Sequence, residues 1–134
     1  FALKYHNVRE IGHDIDIIIS ECDWVFLKDK YSNNINLFGG KNENEIDATL
    51  NIDIDYNNTK IHIDVIRTLW RHNYKELCKD SSEILLDNIK YKVISLEKLL
   101  LIKSLPAFIK NDNKSKNDVI LITKKICNNK YPNK

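Results

Sequence analysis

The chain has 134 residues, of which 43% are apolar and 30% charged, and its formal net charge at pH 7 is only +2. This composition is that of one globular domain and excludes a collagen-like or largely disordered chain. The small net charge also excludes binding of nucleic acid by the charge of the whole surface. An integral membrane protein is excluded because no apolar run approaches the roughly 18 residues of a membrane span. The three cysteines are scattered and lack Cys-x-x-Cys spacing, so we expect reduced thiols in an intracellular, cytoplasmic protein.

The first third of the chain predicts a helix, then strands, then a loop. Residues 1–10 suit the end of a short helix, after which Gly12 interrupts the pattern. Residues 14–20 are rich in β-branched isoleucine and predict a β-strand. Residues 24–31 predict a second strand or a turn into one. Residues 32–45 are rich in Asn and Gly and predict a surface loop.

The clearest element in the sequence is a β-hairpin. Residues 48–56 and residues 59–67 both alternate apolar and polar side chains, which is the period of a strand with one buried face. The pair Asn57-Asn58 between them is typical of a tight turn. The sequence therefore predicts two antiparallel strands joined at these asparagines.

The last third predicts one brief strand and two helices. Residues 89–94 predict the strand, Ser95 suits the N-cap of the next helix, and Pro106 is expected to end or kink that helix. Residues 110–117 predict a polar loop and residues 118–127 a final helix. Two weaker, charged segments, 73–79 and 81–87, precede them. The predicted fold class is α+β, with helices packed on a mixed β-sheet in a single domain spanning residues 1–134.

Three acidic positions on predicted strands carry the candidate chemistry. Asp14 and Asp16 are two residues apart, so both carboxylates leave one face of their strand, while Ile15 and Ile17 point to the other face, into the core. Asp64 is flanked by β-branched apolar residues on the second strand of the hairpin. If the two strands are neighbours, three carboxylates converge, and a divalent cation relieves their repulsion. Two such ions can activate an attacking hydroxyl and neutralise a transferring phosphoryl group.

A plainer interpretation stays open beside this one, because exposed strand faces commonly carry acids. Asp53 and Asp55 repeat the Asp-x-Asp pattern on the hairpin and are expected to be solvent-facing acids of this kind. His62 alternates onto the same face as Asp64 and is a candidate hydrogen-bond donor behind it. Two interpretations therefore stay open for these acids: a metal site, or an acidic strand face exposed to solvent.

Residues 12–19, Gly-His-Asp-Ile-Asp-Ile-Ile-Ile, resemble the strand motif of the nucleotidyltransferase superfamily, which includes abortive-infection and tRNA nucleotidyltransferases. The family pattern continues with a third hydrophobic-Asp-hydrophobic strand, which residues 63–65 match. Residues 91–103 resemble the family's strand, serine cap and leucine-rich helix ending in lysine. Residues 114–121 are similar to its Lys-containing loop and the Asp that opens the next helix. The resemblance runs from residue 8 to residue 126.

The resemblance implies a nucleotidyltransferase-like fold and a metal-dependent transferase. The enzyme would take a nucleoside triphosphate, with Mg²⁺ or Mn²⁺, and transfer its nucleoside monophosphate to a protein, RNA or small-molecule acceptor, releasing pyrophosphate. On this basis Asp14 and Asp16 bind the metal, and Asp64 completes the metal site and orients the nucleophile. Lys103 approaches the triphosphate.

Two cations and one further acid have alternative roles. Lys103 shares a helical face with leucines, so it either contacts phosphate or extends its ammonium past the helix end into water. Arg9 lies five residues before Asp14 and either pairs with the acids or contacts the phosphates of the nucleotide. Asp118 is expected to cap a helix or to partner Lys103 rather than to bind metal.

The sequence departs from the family pattern at two points. A Gly-Gly or Gly-Ser turn is expected before the first helix, and Gly39-Gly40 follows the acids instead of preceding them. The turn is therefore either upstream of Phe1, in which case the domain is truncated at its N-terminus, or absent. Such a turn holds phosphate oxygens with backbone N–H groups, so its absence would weaken triphosphate binding. Asn117 stands where the family often has an acid. The alternative function is a degenerate, catalytically inactive domain that serves as a binding or structural module.

Overall fold

The computed structural model describes residues 1–10, 14–31, 35–38 and 47–132. These residues form an α+β structure with a mixed β-sheet and helices, which confirms the predicted class. The elements in chain order are α1 (Ala2–Tyr5), β1 (Asp14–Ile18), α2 (Glu21–Lys30), β2 (Ile35–Phe38), β3 (Asp47–Tyr56), β4 (Thr59–Ile66), β5 (Thr68–Leu69), β6 (His72–Asn73), α3 (Tyr74–Leu77), β7 (Ser82–Leu86), β8 (Ile89–Val93), α4 (Leu96–Ile109) and α5 (Asn113–Lys130).

The chain divides into two compact units. Residues 12–76, here called the sheet unit, contain β1 to β6 with α2 and most of α3. Residues 2–11 and 77–134, here called the helix unit, contain α1, β7, β8, α4 and α5. The single domain expected from the sequence stays a prediction. None of the helices in the described part of the chain is long and apolar enough to cross a membrane.

The sheet unit is built on a four-stranded sheet in the order β1-β4-β3-β2. Strand β1 runs parallel to β4, whereas β2 and β4 run antiparallel to β3. The predicted hairpin is confirmed as β3 and β4. Its turn residues Asn57 and Asn58 have φ angles of 48° and 60°, a left-handed conformation that asparagine tolerates and that matches strand twist.

One face of this sheet is buried against α2. Leu50 of β3, Val65 of β4 and Trp24 of α2 are 0 to 1% exposed and form the centre of the core. Because side chains alternate along a strand, the apolar residues at every second position of β3 and β4 share this face. Ile52 and Ile63 extend the same surface.

Helix α2 overturns the strand or turn predicted for residues 24–31. Ser20 caps the helix by accepting a hydrogen bond from the backbone N–H of Asp23 at 3.3 Å. Acidic residues in the first turn and lysines in the last turn complement the helix dipole. Trp24 and Leu27 lie three positions apart, so both reach the core from one side of the helix.

Strand β1 is less buried than its sequence suggests. Ile15 and Ile17 were expected to be buried in the core, and they do lie opposite Ile63 and Val65 on the apolar face. Their exposed fractions are nevertheless 42% and 41%. Within the described residues, β1 pairs on one side alone, with β4, so it forms an edge of the sheet.

One further prediction is changed between residues 31 and 86, and the structure defines two segments that the sequence left open. Residues 35–38 of the predicted loop form β2 and pair with β3, while residues 32–34 and 39–45 lie outside the described residues. The weak segment at 73–79 contains the single turn α3, and the segment at 81–87 contains β7. Strand β8 confirms the brief strand predicted at 89–94.

The helix unit contains the hairpin β7–β8 and two helices, α4 and α5, which pack against each other. Leu3 of α1, Leu96 and Leu99 of α4 and Ile122 of α5 form its core. Ser95 caps α4 as predicted, accepting from the backbone N–H of Lys98.

Both helices of this unit are longer than the sequence predicted. Helix α4 continues one turn past Pro106 to Ile109, so the proline does not end it. Helix α5 begins at Asn113 rather than at residue 118. Asp112 caps it by accepting from the backbone N–H of Ser115 at 2.7 Å, and the polar first turn, predicted as a loop, is helical.

The core of the sheet unit can be tested with two truncations on one strand. We expect Leu50→Ala to lower the free energy of unfolding by about 2–5 kcal/mol, since Leu50 is fully buried. The control is Ile54→Ala on the same face of β3, where the side chain is 44% exposed; it should cost less than about 1 kcal/mol. Urea unfolding measures both, and equal losses would contradict the described core.

Candidate functional site

The face of the sheet opposite the core carries the candidate site. Parallel pairing places Asp14 opposite His62 and Asp16 opposite Asp64. Antiparallel pairing places Asp53 opposite His62, and Asn51 opposite Asp64. Residues that face each other across adjacent strands point to the same side of the sheet. We call this set the polar face: Asp14, Asp16, Asn51, Asp53, His62 and Asp64.

The three predicted acids all lie on this face. Adjacent strands lie about 4.8 Å apart, so the register places the backbone of Asp16 directly beside that of Asp64, with Asp14 two residues earlier on the same side. Asp14 and Asp16 are exposed, whereas 31% of the Asp64 side chain is exposed. Burial raises the pKa of Asp64, and the negative charges of Asp16 and Asp14 raise it further. The carboxylates therefore repel each other, as the sequence predicted.

His62 lies between two of the acids. Its Nδ1 is 2.7 Å from Oδ1 of Asp53, and its Nε2 is 3.2 Å from Oδ1 of Asp64. The hydrogen bond to Asp53 raises the pKa of His62, and the charges of Asp64, Asp53 and Asp14 act in the same direction against a lowering by desolvation. Carboxylates accept hydrogen bonds, so the imidazolium form, with two N–H donors, satisfies both partners.

The donor chemistry of the polar face suits a hard divalent cation. Asp16 and Asp64 offer carboxylate oxygens from neighbouring strands, and Asp14 is near enough to raise the pKa of Asp64. The repulsion that raises this pKa is what a cation would relieve. In the part of the chain that the structure describes, however, no three His, Cys, Asp or Glu side chains are gathered closely enough to hold a metal ion.

The predicted cations Lys103 and Arg9 both lie in the helix unit and share one partner, Asp118. The Asp118 side chain is 3% exposed, and Arg9 pairs with both of its oxygens, at 2.6 Å from Nε and 3.1 Å from Nη2. Lys103 Nζ lies 3.7 Å from Oδ2, so the expectation that Asp118 partners Lys103 is confirmed. Burial would raise the pKa of Asp118, but the hydrogen bonds and charge of Arg9, with the charge of Lys103, hold the pKa below its ordinary value.

Two contacts were missed by sequence reasoning. Asp53 was expected to be an exposed acid, and it is 51% exposed, but it also binds His62. The signal was present in the hairpin, because a two-residue turn at Asn57-Asn58 fixes the register that places these residues opposite each other. The pairing of Arg9 with Asp118 joins residues far apart in sequence, and no local pattern reports it.

Comparison of the chain with models of known protein families, with curated proteins and with solved structures found no match.

The buried ion pair of the helix unit gives a stability prediction. Arg9→Gln should leave Asp118 buried without its bidentate partner and lower the free energy of unfolding by about 2–4 kcal/mol. Lys4→Gln is the control, because Lys4 pairs with Glu10 at the surface of the same unit and should change stability by less than about 0.5 kcal/mol. Chemical unfolding compares the two variants, and similar small losses would argue against a structural role for the Arg9–Asp118 pair.

The same pair predicts a dependence of stability on pH. The pKa of Asp118 in the folded chain lies below its ordinary value of 3.8, so the unfolded chain takes up this proton first as the pH falls. The stabilisation by ionised Asp118 is therefore complete above the ordinary pKa and is lost as the pH falls through the folded pKa. We expect the stability difference between wild type and Asp118→Asn to shrink below about pH 4–5. Urea unfolding at stepped pH measures it, and a constant difference down to acidic pH would refute the assignment.

Proposed function

We propose that this chain is a nucleotidyltransferase-like domain with metal-dependent activity. It would transfer a nucleoside monophosphate from a nucleoside triphosphate to a protein, RNA or small-molecule acceptor and release pyrophosphate. The proposal joins the motif resemblance to one structural observation, the register that sets Asp16 beside Asp64 with Asp14 on the same face. Converging carboxylates on neighbouring strands are what divalent-metal phosphoryl chemistry requires.

The roles follow from where each side chain lies. Asp16 and Asp64 would hold the cation from the neighbouring strands β1 and β4. Asp14, at the exposed start of β1, would also bind it. Asp64 is the most shielded of the three, and the motif resemblance gives it the role of orienting an acceptor hydroxyl. A bound Mg²⁺ or Mn²⁺ would neutralise charge that develops on the transferring phosphate.

Lys103 and Arg9 keep the triphosphate-binding role that the motif resemblance suggests. The Nζ of Lys103 stands 3.7 Å from Asp118, beyond hydrogen-bond distance, and 26% of the side chain is exposed. Because part of the Lys103 side chain is exposed, its ammonium could bind an anion while it stays near Asp118. Arg9 is bound more tightly to Asp118, so its support for phosphate binding would be weaker than that of Lys103.

A second candidate function is a degenerate domain without catalysis that acts as a binding or structural module. Asp14 and Asp16 are exposed on an edge strand of the described sheet. Acids in such positions commonly face solvent without binding a metal, and this exposure fits a domain that performs no transfer.

Metal-dependent stabilisation tests the site directly. Mg²⁺ or Mn²⁺ should raise the Tm of the wild type in proportion to occupancy, because a ligand of the folded state stabilises it. Asp16→Asn keeps the side-chain shape, removes one ligand charge and should abolish the rise. Asp55→Asn is the matched control, since Asp55 lies on the hairpin opposite Lys60 and away from the three acids. An equal metal-dependent rise in Tm in wild type and Asp16→Asn would refute a metal site on this face.

Transfer chemistry separates the two candidate functions. The chain is incubated with Mg²⁺ and each nucleoside triphosphate labelled at the α-phosphate, and with candidate protein and RNA acceptors. Covalent label in an acceptor, lost in Asp16→Asn, supports the transferase. A folded chain that gives no label, and no heat on titration with ATP and Mg²⁺, supports the inactive module.

A further inference from the structure

Residues 2–9, here called the strap, belong to the helix unit, but the whole sheet unit separates them in the sequence from the rest of that unit. The strap begins with α1, whose four residues are too few for a helix that is stable by itself. Asn7 ends α1 in a left-handed conformation, with a φ of 54°. The backbone N–H groups of His6, Asn7 and Val8 donate hydrogen bonds within the strap at 2.8 to 3.0 Å. These bonds persist only while the strap is docked, so the three N–H groups report its docking.

Three contacts dock the strap on the rest of the helix unit. Leu3 is buried in the core of the unit. Nε2 of His6 lies 2.7 Å from the carbonyl oxygen of Ile94, which can only accept, so Nε2 carries the hydrogen. Arg9 donates to both carboxylate oxygens of Asp118. The other buried residues of this core lie on α4 and α5, which also pack against each other, so the interface of these helices includes contacts that the strap does not make.

Asp118 has a second cation beside it, and this cation is not part of the strap. Nζ of Lys103, on α4, lies 3.7 Å from Oδ2 of Asp118, on α5. The side chain of Asp118 is 3% exposed, and a carboxylate that is left buried without a partner strongly destabilises a protein. If Arg9 leaves with the strap, Lys103 can approach the freed oxygens and pair with them. Opening of the strap therefore does not leave Asp118 without a cation.

We propose that the strap opens as one piece while the rest of the helix unit stays folded, and that Asp118 exchanges Arg9 for Lys103 when it opens. Local opening of this kind is usual where a few contacts hold a short segment. Asp118 and its two cations thus form a latch with two positions, which does not depend on the proposed function. The position of the strap decides whether Lys103 stands beside Asp118 or pairs with it directly.

Hydrogen exchange of the native chain, followed by NMR at low urea concentrations, measures this opening. The reference is the backbone N–H of Ile122, whose side chain is fully buried in α5. In the wild type, we expect the three N–H groups of the strap to exchange faster than that of Ile122. Their exchange should also depend less on urea, because opening of the strap exposes less surface than unfolding of the unit.

Substitutions in the strap test the closed state. Arg9→Gln removes the bidentate partner of the closed state, so the strap N–H groups should exchange about 10–100-fold faster, the range for hydrogen bonds to charged groups. Lys4→Gln is the control, since Lys4 pairs with Glu10 at the surface, and it should change this exchange by less than about 5-fold. Arg9→Lys keeps the charge without the bidentate geometry, so it should give an intermediate rate, and it replaces Arg9→Gln if that chain does not fold.

Lys103→Gln distinguishes a latch from an ordinary ion pair. It removes the partner of Asp118 from the open state and only a more distant charge from the closed state, so the strap should open less often. We expect exchange of the strap N–H groups to slow by about 10-fold, while exchange at Ile122 is unchanged or faster. In the Arg9→Gln background, Lys103 is the nearest cation in both states, so Lys103→Gln should no longer slow the strap.

Three outcomes would overturn the proposal. Strap N–H groups that exchange at the rate of Ile122, with the same dependence on urea, would mean that the strap opens only when the unit unfolds. Faster strap exchange in Lys103→Gln would make Lys103 a partner of the closed state instead of a replacement for Arg9. Equal effects of Arg9→Gln and Lys4→Gln would mean that the pair of Arg9 with Asp118 does not hold the strap.

Discussion

Burial of one face of the β3–β4 hairpin is the constraint on which the sheet unit depends. Leu50, Val65 and Trp24 exclude water from that face, and a slip of one residue between the strands would turn the buried side chains outward. The hydrophobic effect therefore fixes the register. The same register sets Asp64 and His62 on the opposite face, so the arrangement of the polar side is decided by the packing of the apolar side.

Each unit contains a partly or fully buried carboxylate, and the pKa of the two carboxylates is shifted in opposite directions. Asp118 receives a guanidinium on both oxygens, and the hydrogen bonds and charge of Arg9 keep its pKa low despite burial. Asp64 is beside other acids, and burial together with the charge of Asp16 raises its pKa, with His62 as partial compensation. The ion pair on Asp118 serves stability, whereas perturbed carboxylates such as Asp64 are common at functional sites.

Regular local patterns made part of the structure predictable. Alternation over residues 48–67 and the Asn57-Asn58 turn were sufficient to predict the hairpin, and the spacing of Asp14 and Asp16 was sufficient to predict a shared strand face. The neighbouring position of β1 and β4, on which the candidate site depends, had to be assumed, because pairing of distant strands leaves no local trace.

The predictions that were wrong have an equally physical cause. Four apolar residues of helix α2 are consecutive in the sequence, at positions 24–27, and Val25 and Phe26 are exposed beside the buried Trp24. The segment therefore lacks the apolar spacing that is typical of a helix with one buried face. Its cap, Ser20, and the charges at its two ends were the better indicators. The first turn of α5 is polar, and this composition is why the segment was predicted to be a loop. The better indicator was Asp112, which caps the helix at the residue before its first turn.

The parallel pairing of β1 with β4 has a consequence for the order of folding. Asp53 and His62 meet across a two-residue turn, which closes a short loop at small entropic cost. Asp16 and Asp64 are separated in the sequence by α2, β2 and β3, so their contact closes a long loop. Such non-local contacts form slowly. We therefore expect the histidine to be in place on the hairpin before the first two acids arrive, so that the acidic cluster assembles against a partner that is already ordered.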